Sequence, residues 1–285
     1  MLMPFPAVVP PKPPAARARV VDVGAAQSLP PAAEALLQAD DWPGLADWFE
    51  KASPQLRRQH YEYWLQALNR SQRWARLADA CKALTPQLEG RGKPRLGTFR
   101  LYRAQALSQL GRHREAMAAH AENGRLGQAE GYANACAEAR LAGDWKALLA
   151  YSEAILARKP KDAEALGWKG EAQARLGRFE ASAATLQTVV QANPKDAQAW
   201  NNLGRAALQR KAWADAKEAF DRALKLEPGQ MEALFNRGIA QFNLKRYAAS
   251  RDDFKAALAL RPGDPVLQEN LRQAEKMAAA YPDQP

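Results

Sequence analysis

Residues 197–230 read AQAWNNLGRAALQRKAWADAKEAFDRALKLEPGQ, and they contain two helical patterns with a short break between them. Trp200 and Leu203 lie three positions apart, so they share one face of a first predicted helix. The break QRK separates this helix from a second one, which carries Phe220 on its apolar face. Pro228 ends the second helix, because its ring disfavours α geometry at the preceding residue and supplies no N–H. The stretch therefore predicts a helical hairpin.

This hairpin pattern recurs at an interval of 34 residues. Prolines follow four apolar helical turns at that spacing, at Pro160, Pro194, Pro228 and Pro262. A fixed period of this length is typical of repeat architectures, in which each unit packs mainly on its neighbours. The sequence therefore predicts four hairpins over residues 129–264.

The repeat resembles the tetratricopeptide repeat. The family pattern of a large residue, Leu-Gly, an apolar residue, Ala, Phe, Ala and Pro is found at Trp200, Leu203, Gly204, Ala207, Ala216, Phe220, Ala223 and Pro228. We expect Gly204 to mark a close approach of two helices and Phe220 to fill the space between them. The next unit departs from the pattern at Arg237, where the family has leucine. The resemblance implies an all-α fold, a right-handed superhelical solenoid of antiparallel helical hairpins.

The upstream half carries the same design in a degenerate form. Predicted second helices of successive hairpins begin near mostly aromatic residues, at Trp42, Trp74, His113, Trp145, Phe179, Trp213 and Tyr247. Asp264 as N-cap and Pro265 at the first helical position predict a final helix that covers the last apolar face. The predicted organisation has about seven hairpins in four segments: a proline-rich, weakly ordered tail (1–31), degenerate hairpins (32–128), four firm repeats (129–264), and a C-terminal capping helix with a short tail (265–285).

The family architecture implies that the first helix of each hairpin lines a concave groove in which partner segments bind. The groove residues inferred in this way are Asn134, Trp168, Glu171, Gln198, Asn201, Asn202, Arg205, Phe235, Asn236 and Asn243. Arg175 and Glu232 lie on the same stripe. Asn134, Asn202 and Asn236 share one repeat position, and their amides form a predicted ladder suited to the backbone of an extended chain. Asparagine is also common there for structural reasons, so both interpretations stay open.

We expect the groove side chains to be exposed, with Trp168 covering an apolar side chain and Arg205 binding an acceptor or an acid. Some family members grip a C-terminal carboxylate with a clamp of Lys, Asn, Asn, Lys and Arg. The corresponding positions here are Gly167, Glu171, Asn202, Glu232 and Asn236. Only one of the five residue types matches and two are acidic, so this clamp is not predicted.

A basic stretch lies in the N-terminal half. It holds seven Lys and Arg residues without an acidic one, at Arg91, Lys93, Arg95, Arg100, Arg103, Arg112 and Arg114. With the formal net charge of +10, such a patch suits nucleic acid, anionic lipid or an acidic partner. The alternative is a solvated face that only keeps the protein soluble, and the sequence favours it.

Motifs for catalysis are lacking. The sequence has no HExxH, no GxSxG, no complete phosphate-binding loop and no CxxC, so no active site, metal site or cofactor is predicted. The predicted function is a non-enzymatic protein-binding scaffold or adaptor in a larger, bacterial assembly. A nucleic-acid binder that uses the basic N-terminal half, and a regulatory subunit of an enzyme on another chain, are the alternatives. No run approaches the ~18 apolar residues that span a bilayer, and the chain is predicted to be cytoplasmic.

Overall fold

The computed structural model describes residues 28–88, 93–127 and 130–282, without the side chains of 85–88 and 93–98. The predicted proline-rich tail therefore lies outside the described residues up to position 27. Sixteen α-helices and no strand are found in the described ranges. Within them, no helix is long and apolar enough to cross a membrane. The prediction of an all-α fold is confirmed.

The chain divides into two compact units between Asp144 and Trp145. In the first unit each helix packs mainly on the next along the chain, with α4 reaching α2 past the short α3. Its core includes Phe49, Leu65 and Leu107, all almost completely buried. The helices of this unit are α1 (Pro31–Gln38), α2 (Trp42–Lys51), α3 (Pro54–Gln59), α4 (Tyr61–Arg70), α5 (Trp74–Leu88), α6 (Lys93–Gln109), α7 (His113–Arg125) and α8 (Gly131–Ala142).

The second unit covers residues 145–282, and each of its helices packs on the next one. This order of packing is that of a solenoid, as the repeat period predicts. The division at Asp144 lies inside the predicted repeat over 129–162. The helices of this unit are α9 (Trp145–Leu156), α10 (Ala163–Arg175), α11 (Phe179–Ala192), α12 (Ala197–Gln209), α13 (Trp213–Leu226), α14 (Met231–Asn243), α15 (Tyr247–Leu260) and α16 (Pro265–Ala280).

Second helices begin where the sequence predicts them. All seven predicted starting residues, from Trp42 to Tyr247, are the first residues of helices. A residue with positive φ stands two positions before each of these starts, at Asp40, Gln72, Gly111, Gly143, Gly177, Lys211 and Lys245. A left-handed residue there reverses the chain between the two helices. Glycine adopts that conformation without the steric cost that a Cβ atom brings.

Three of the four periodic prolines end helices as expected, whereas α9 already ends at Leu156, four residues before Pro160. Asn193, Glu227 and Arg261 each precede one of these prolines and have φ between −137° and −133° with ψ between 77° and 88°, outside the α region. Each of the three residues follows directly after the last helical residue. The proline period is therefore the period of the hairpins.

The close approach of the two helices in two successive hairpins depends on glycine. A Cβ atom added to Gly204 would lie 2.6 Å from the ring of Phe220, and one added to Gly238 would lie 2.7 Å from Phe254. Both rings are fully buried. The Ser250 hydroxyl donates a 2.8 Å hydrogen bond to the Gly238 carbonyl, which ties α15 to α14. The prediction that Gly204 and Phe220 form a complementary pair is confirmed.

Arg237 has a structural role that the sequence pattern does not reveal. Its guanidinium donates two hydrogen bonds to Asp253 on α15, at 2.8 and 2.6 Å, and one to Asp221 on α13, at 2.8 Å. The hydrogen bond to Asp253 raises the pKa of Arg237, with a further contribution from Asp221. Arg237 thus joins the second helices of two successive hairpins through its own first helix, α14.

The final helix has the predicted N-terminus. Asp264 caps α16 by accepting hydrogen bonds from the backbone N–H groups of Val266 and Leu267, at 2.9 and 3.2 Å. The helix packs on α15 and buries Leu267 and Ala274 completely. It therefore covers apolar surface of the last hairpin, as a capping helix does.

Candidate functional site

Three first helices of the second unit lie next to one another. The middle helix, α12, contacts both α10 and α14. Asp162 and Asp196 fix the starts of α10 and α12 by accepting hydrogen bonds from Ala165 and Ala199, at 3.0 and 2.9 Å. Residues at equivalent repeat positions on these helices therefore share one side of the unit.

Seven of the ten predicted groove residues are accessible on this side. We call them together the first-helix face; they are Trp168, Glu171, Gln198, Asn202, Arg205, Asn236 and Asn243, each partly or largely exposed. Asn134 is also partly exposed, but it lies on α8 of the first unit. The structure thus brings together the residues of three predicted repeats.

Two predicted groove residues are buried, which corrects the sequence-based expectation. Phe235 has no exposed surface, and its ring lies 5.6 Å from that of Phe254. Asn201 is only 5% exposed. The two residues occupy the same repeat position, 34 residues apart, so the packed neighbours cover that position in both helices. The predicted set of groove residues therefore includes one repeat position that is buried, the position of Asn201 and Phe235.

The side-chain amides of the first-helix face differ in the hydrogen bonds that they form. Gln198 donates a 3.2 Å hydrogen bond to the Asn202 side-chain oxygen, and Asn243 donates one of 2.8 Å to the carbonyl of Ile239. These bonds leave the NH₂ group of Asn202 available. No side-chain hydrogen bond of Asn236 is found among the described residues. Asn202 and Asn236 therefore keep donors that the backbone of a bound chain can use.

Arg205 is a cation without an ion pair. No acidic group lies within ion-pair distance of its guanidinium in the part of the chain that the structure describes, although the side chain is largely covered. Burial lowers the pKa of Arg205 and the charge of Arg175 lowers it further, while Glu171 and Glu232 oppose both effects. Each of these three neighbours lies on α10 or α14, so the charges of three helices meet around Arg205.

Arg175 is held by an aromatic ring. Its guanidinium lies 4.8 Å from the centre of the Trp145 ring, which is within the range of a cation–π contact. Its Nε is buried and has no hydrogen-bond partner in the described residues. The sequence predicts only a helix start at Trp145, because a separation of 30 residues offers no local signal for this contact.

The predicted basic patch is only partly described. Arg91 lies outside the described residues, and so do the side chains of Lys93 and Arg95. Arg100 forms an ion pair of 2.7 Å with Glu122, and Arg112 one of 2.7 Å with Glu115.

Arg103 is partly exposed and Arg114 is exposed. Two of the four described cations therefore pair with acidic residues that follow the basic stretch, so less positive charge is uncompensated than the stretch alone suggests.

Catalytic and metal-binding groups do not converge in the described ranges. No group of three or more His, Cys, Asp or Glu side chains there could hold a metal ion. His113 and Glu138 form a 2.8 Å hydrogen bond. Burial lowers the pKa of His120 to about 4. Cys81 is buried, and burial raises the pKa of its thiol, which disfavours the reactive thiolate.

Comparisons with solved structures show the fold. MamA from Desulfovibrio magneticus RS-1, from residue 41 to its end, is 19% identical with a TM-score of 0.54, covering 60% of this chain and 97% of that one. The MamA RS-1 ArsTM double mutant is 20% identical with a TM-score of 0.54, covering 58% and 94%. YrrB is 17% identical with a TM-score of 0.53, covering 67% and 99%. Among curated proteins, none matches significantly.

Sequence models of the tetratricopeptide repeat match this chain at residues 203–280, 125–197 and 172–216. Together the matches run from residue 125 to residue 280, which is more than half of the 285 residues. They include the glycines, aromatic residues and prolines that form the hairpins described above. The chain belongs to the tetratricopeptide repeat family.

Proposed function

We propose that the first-helix face binds an extended segment of a partner protein and that the chain serves as a scaffold or adaptor in a larger assembly. The observation that carries this proposal is the juxtaposition, on three contacting helices, of accessible amides, a partly exposed tryptophan and an arginine without an ion pair. Side chains of these types are expensive to leave partly buried and unpaired, and a bound chain supplies their partners.

An extended segment suits the chemistry of this face. Its backbone offers N–H and C=O groups at regular intervals, and carboxamides can bond both kinds of group. Trp168 makes no hydrogen bond or ring contact among the described residues and can cover an apolar side chain of the segment. YrrB, which has the same fold, is described as a repeat protein with an unusual peptide-binding site, and this supports the proposal.

The test combines stability with partner recovery. Trp168→Ala and Asn202→Ala remove partly exposed side chains, so each should change the free energy of unfolding by less than about 1 kcal/mol. Loss of a central anchor costs ~2 kcal/mol or more of binding, which is more than tenfold in affinity. We expect Trp168→Ala to abolish recovery of the partner in a tagged pull-down at an unchanged melting temperature. Gln187→Ala, an exposed amide on α11, is the matched control for Asn202→Ala and should have no effect.

Two outcomes would contradict the proposal. Unchanged recovery with both variants would place the binding site elsewhere, and a large fall in melting temperature would show that Trp168 or Asn202 supports the core. The proposal assigns the chain a binding role without a catalytic step and keeps the predicted cytoplasmic location as part of the hypothesis.

Nucleic-acid binding has less support, because Arg100 and Arg112 are already ion-paired. Affinity that depends on phosphate contacts falls steeply with salt. Tight RNA or DNA binding that persists at physiological salt would favour that alternative.

A further inference from the structure

Charged groups of both signs surround Arg205. Arg205 on α12 interacts with Arg175, Glu171 and Glu232, and it has no ion pair within the described ranges. Two cations that repel each other at a partly covered position are a cost to the free protein. An anion placed between them would relieve that repulsion, because it attracts both guanidinium groups.

Arg175 offers an unpaired donor to such an anion. Its Nε is buried and has no hydrogen-bond partner in the described residues, while its guanidinium is held 4.8 Å from the centre of the Trp145 ring. Buried polar groups are normally paired, so a buried unpaired N–H near an arginine without an ion pair points to a missing acceptor.

The acidic neighbours restrict which anion fits. Glu171 belongs to α10 and Glu232 to α14, the helices on the two sides of α12. A polyanion that crosses these helices would bring further negative charges close to both carboxylates and would be repelled. An isolated carboxylate avoids this repulsion. Both a nucleic-acid backbone and an acid-rich tail are therefore disfavoured at this position.

We propose that Arg205 and Arg175 bind a single Asp or Glu side chain of the partner segment, and that basic residues flank this acid in the segment. The inference rests on the proposed function of the first-helix face and adds the charge pattern of its ligand. Packed helices lie ~8–10 Å apart. An extended chain advances ~3.3 Å per residue. Basic residues that reach Glu171 and Glu232 are therefore expected about three positions before and after the acid.

The site is tested with defined peptides and the full-length protein. The first probe is the N-acetylated amide Thr-Lys-Thr-Thr-Glu-Thr-Thr-Lys-Thr, and the second has Gln in place of Glu. The side-chain Nε–Hε resonances of Arg205 and Arg175 and the indole resonance of Trp168 report binding after ¹⁵N labelling. We expect the Glu peptide to shift the resonances of both arginines saturably and the Gln peptide to bind at least about tenfold more weakly.

Two variants and two further ligands complete the test. Arg205→Gln should abolish the preference for Glu over Gln. Arg210→Gln is the matched control, because Arg210 lies on the same chain segment but has an acidic neighbour, Glu180, at 3.7 Å. A peptide in which Glu replaces both lysines should bind more weakly than the mixed-charge peptide. An oligouridylate should leave the resonances of both arginines unchanged.

The outcomes separate this inference from the proposed function. If both peptides shift the Trp168 resonance equally while Arg205 stays unchanged, the face binds peptides and the acid site is wrong. If neither peptide changes Trp168 or the arginines at millimolar concentration, both proposals fail for extended segments of this charge pattern. Stronger binding of the triple-Glu peptide or of oligouridylate would show a general polyanion site and would overturn the inference.

Discussion

Replacement of Arg237 by leucine tests how the repeat tolerates an ion pair where the family has an apolar residue. The variant leaves Asp253 buried without its counter-charge. Breaking a buried pair typically costs ~3–5 kcal/mol. The Arg237 and Asp221 side chains are 23% and 38% exposed, and Asp253 only 7%. Because solvent screens the exposed part of the network, we expect a loss of about 2–3 kcal/mol.

The pH dependence of this loss has a definite sign. Burial raises the pKa of Asp253, while hydrogen bonds and charge from Arg237 oppose this effect. Arg237→Leu removes the opposition, so the pKa of Asp253 in the folded state rises further above that of the unfolded state. The folded variant then binds a proton more readily than the unfolded chain does. Its stability deficit should therefore be largest near neutral pH and shrink as the pH falls toward ~4.

Chemical denaturation followed by circular dichroism measures the deficit, and amide hydrogen exchange in α13 to α15 locates it. Arg251→Leu is the matched control, because Arg251 pairs with Asp252 at the surface, where both side chains are more than 40% exposed. It should change stability by less than about 1 kcal/mol. The reasoning is refuted if Arg237→Leu loses no more stability than this control, or if its deficit grows as the pH falls.

A second replacement should restore the stability. Leu203 and Ala219 occupy the equivalent positions one repeat earlier. The double variant Arg237→Leu, Asp253→Ala therefore reproduces a pair that this chain already uses. Well-packed apolar residues can replace a buried ion pair at little or no cost. Most of the lost stability should return, and failure to recover it would show that packing around Arg237, rather than charge, determines the deficit.

In the same denaturation assay, Gly204→Ala should destabilise the second unit by about 2 kcal/mol, because the added Cβ atom would overlap Phe220. Gly167→Ala should stabilise α10 by up to ~1 kcal/mol, because no atom lies near its added Cβ atom. Equal effects would contradict the close-packing account. Lys211→Gly relieves a left-handed residue at φ 58° and should gain ~0.5–1 kcal/mol; a loss would argue against strain there. Burial lowers the pKa of His120 to about 4, so only the unfolded chain is protonated between pH ~6.5 and 4. As the pH falls through that range, the free energy of unfolding should decrease by up to ~3 kcal/mol, and by less in His120→Leu. Equal pH dependence of stability in the two proteins would refute this.

The repeat period predicts helix positions because hairpin geometry is local. A helix start such as Trp213 is set by the turn before it, and a helix end such as Leu226 by Pro228 two residues later. The complementary sizes of Gly204 and Phe220 follow from the same register. These features depend on residues within one repeat, so a single sequence contains the information for them.

Burial of individual residues on the first helices is harder to predict. Phe235 and Asn201 lie at the edge of the predicted stripe, where neighbouring helices decide whether a position is covered. Helical spacing within one element cannot show how far its neighbours extend. The ion pairs of Arg237 depend on two other helices, although Asp221 and Asp253 lie 16 residues before and after it, a symmetric spacing that offers a usable signal.

We propose that a partner segment lies across α10, α12 and α14. The most direct measurement is site-specific photo-crosslinking of the full chain in the presence of its partner, with p-benzoylphenylalanine at Gln198 on the first-helix face and, separately, at the exposed Gln187 on α11. Peptide mapping then identifies the linked residues. We expect crosslinks from Gln198 to one short stretch of the partner and none from Gln187. Crosslinks from Gln187 alone, or from both positions to unrelated stretches, would contradict it.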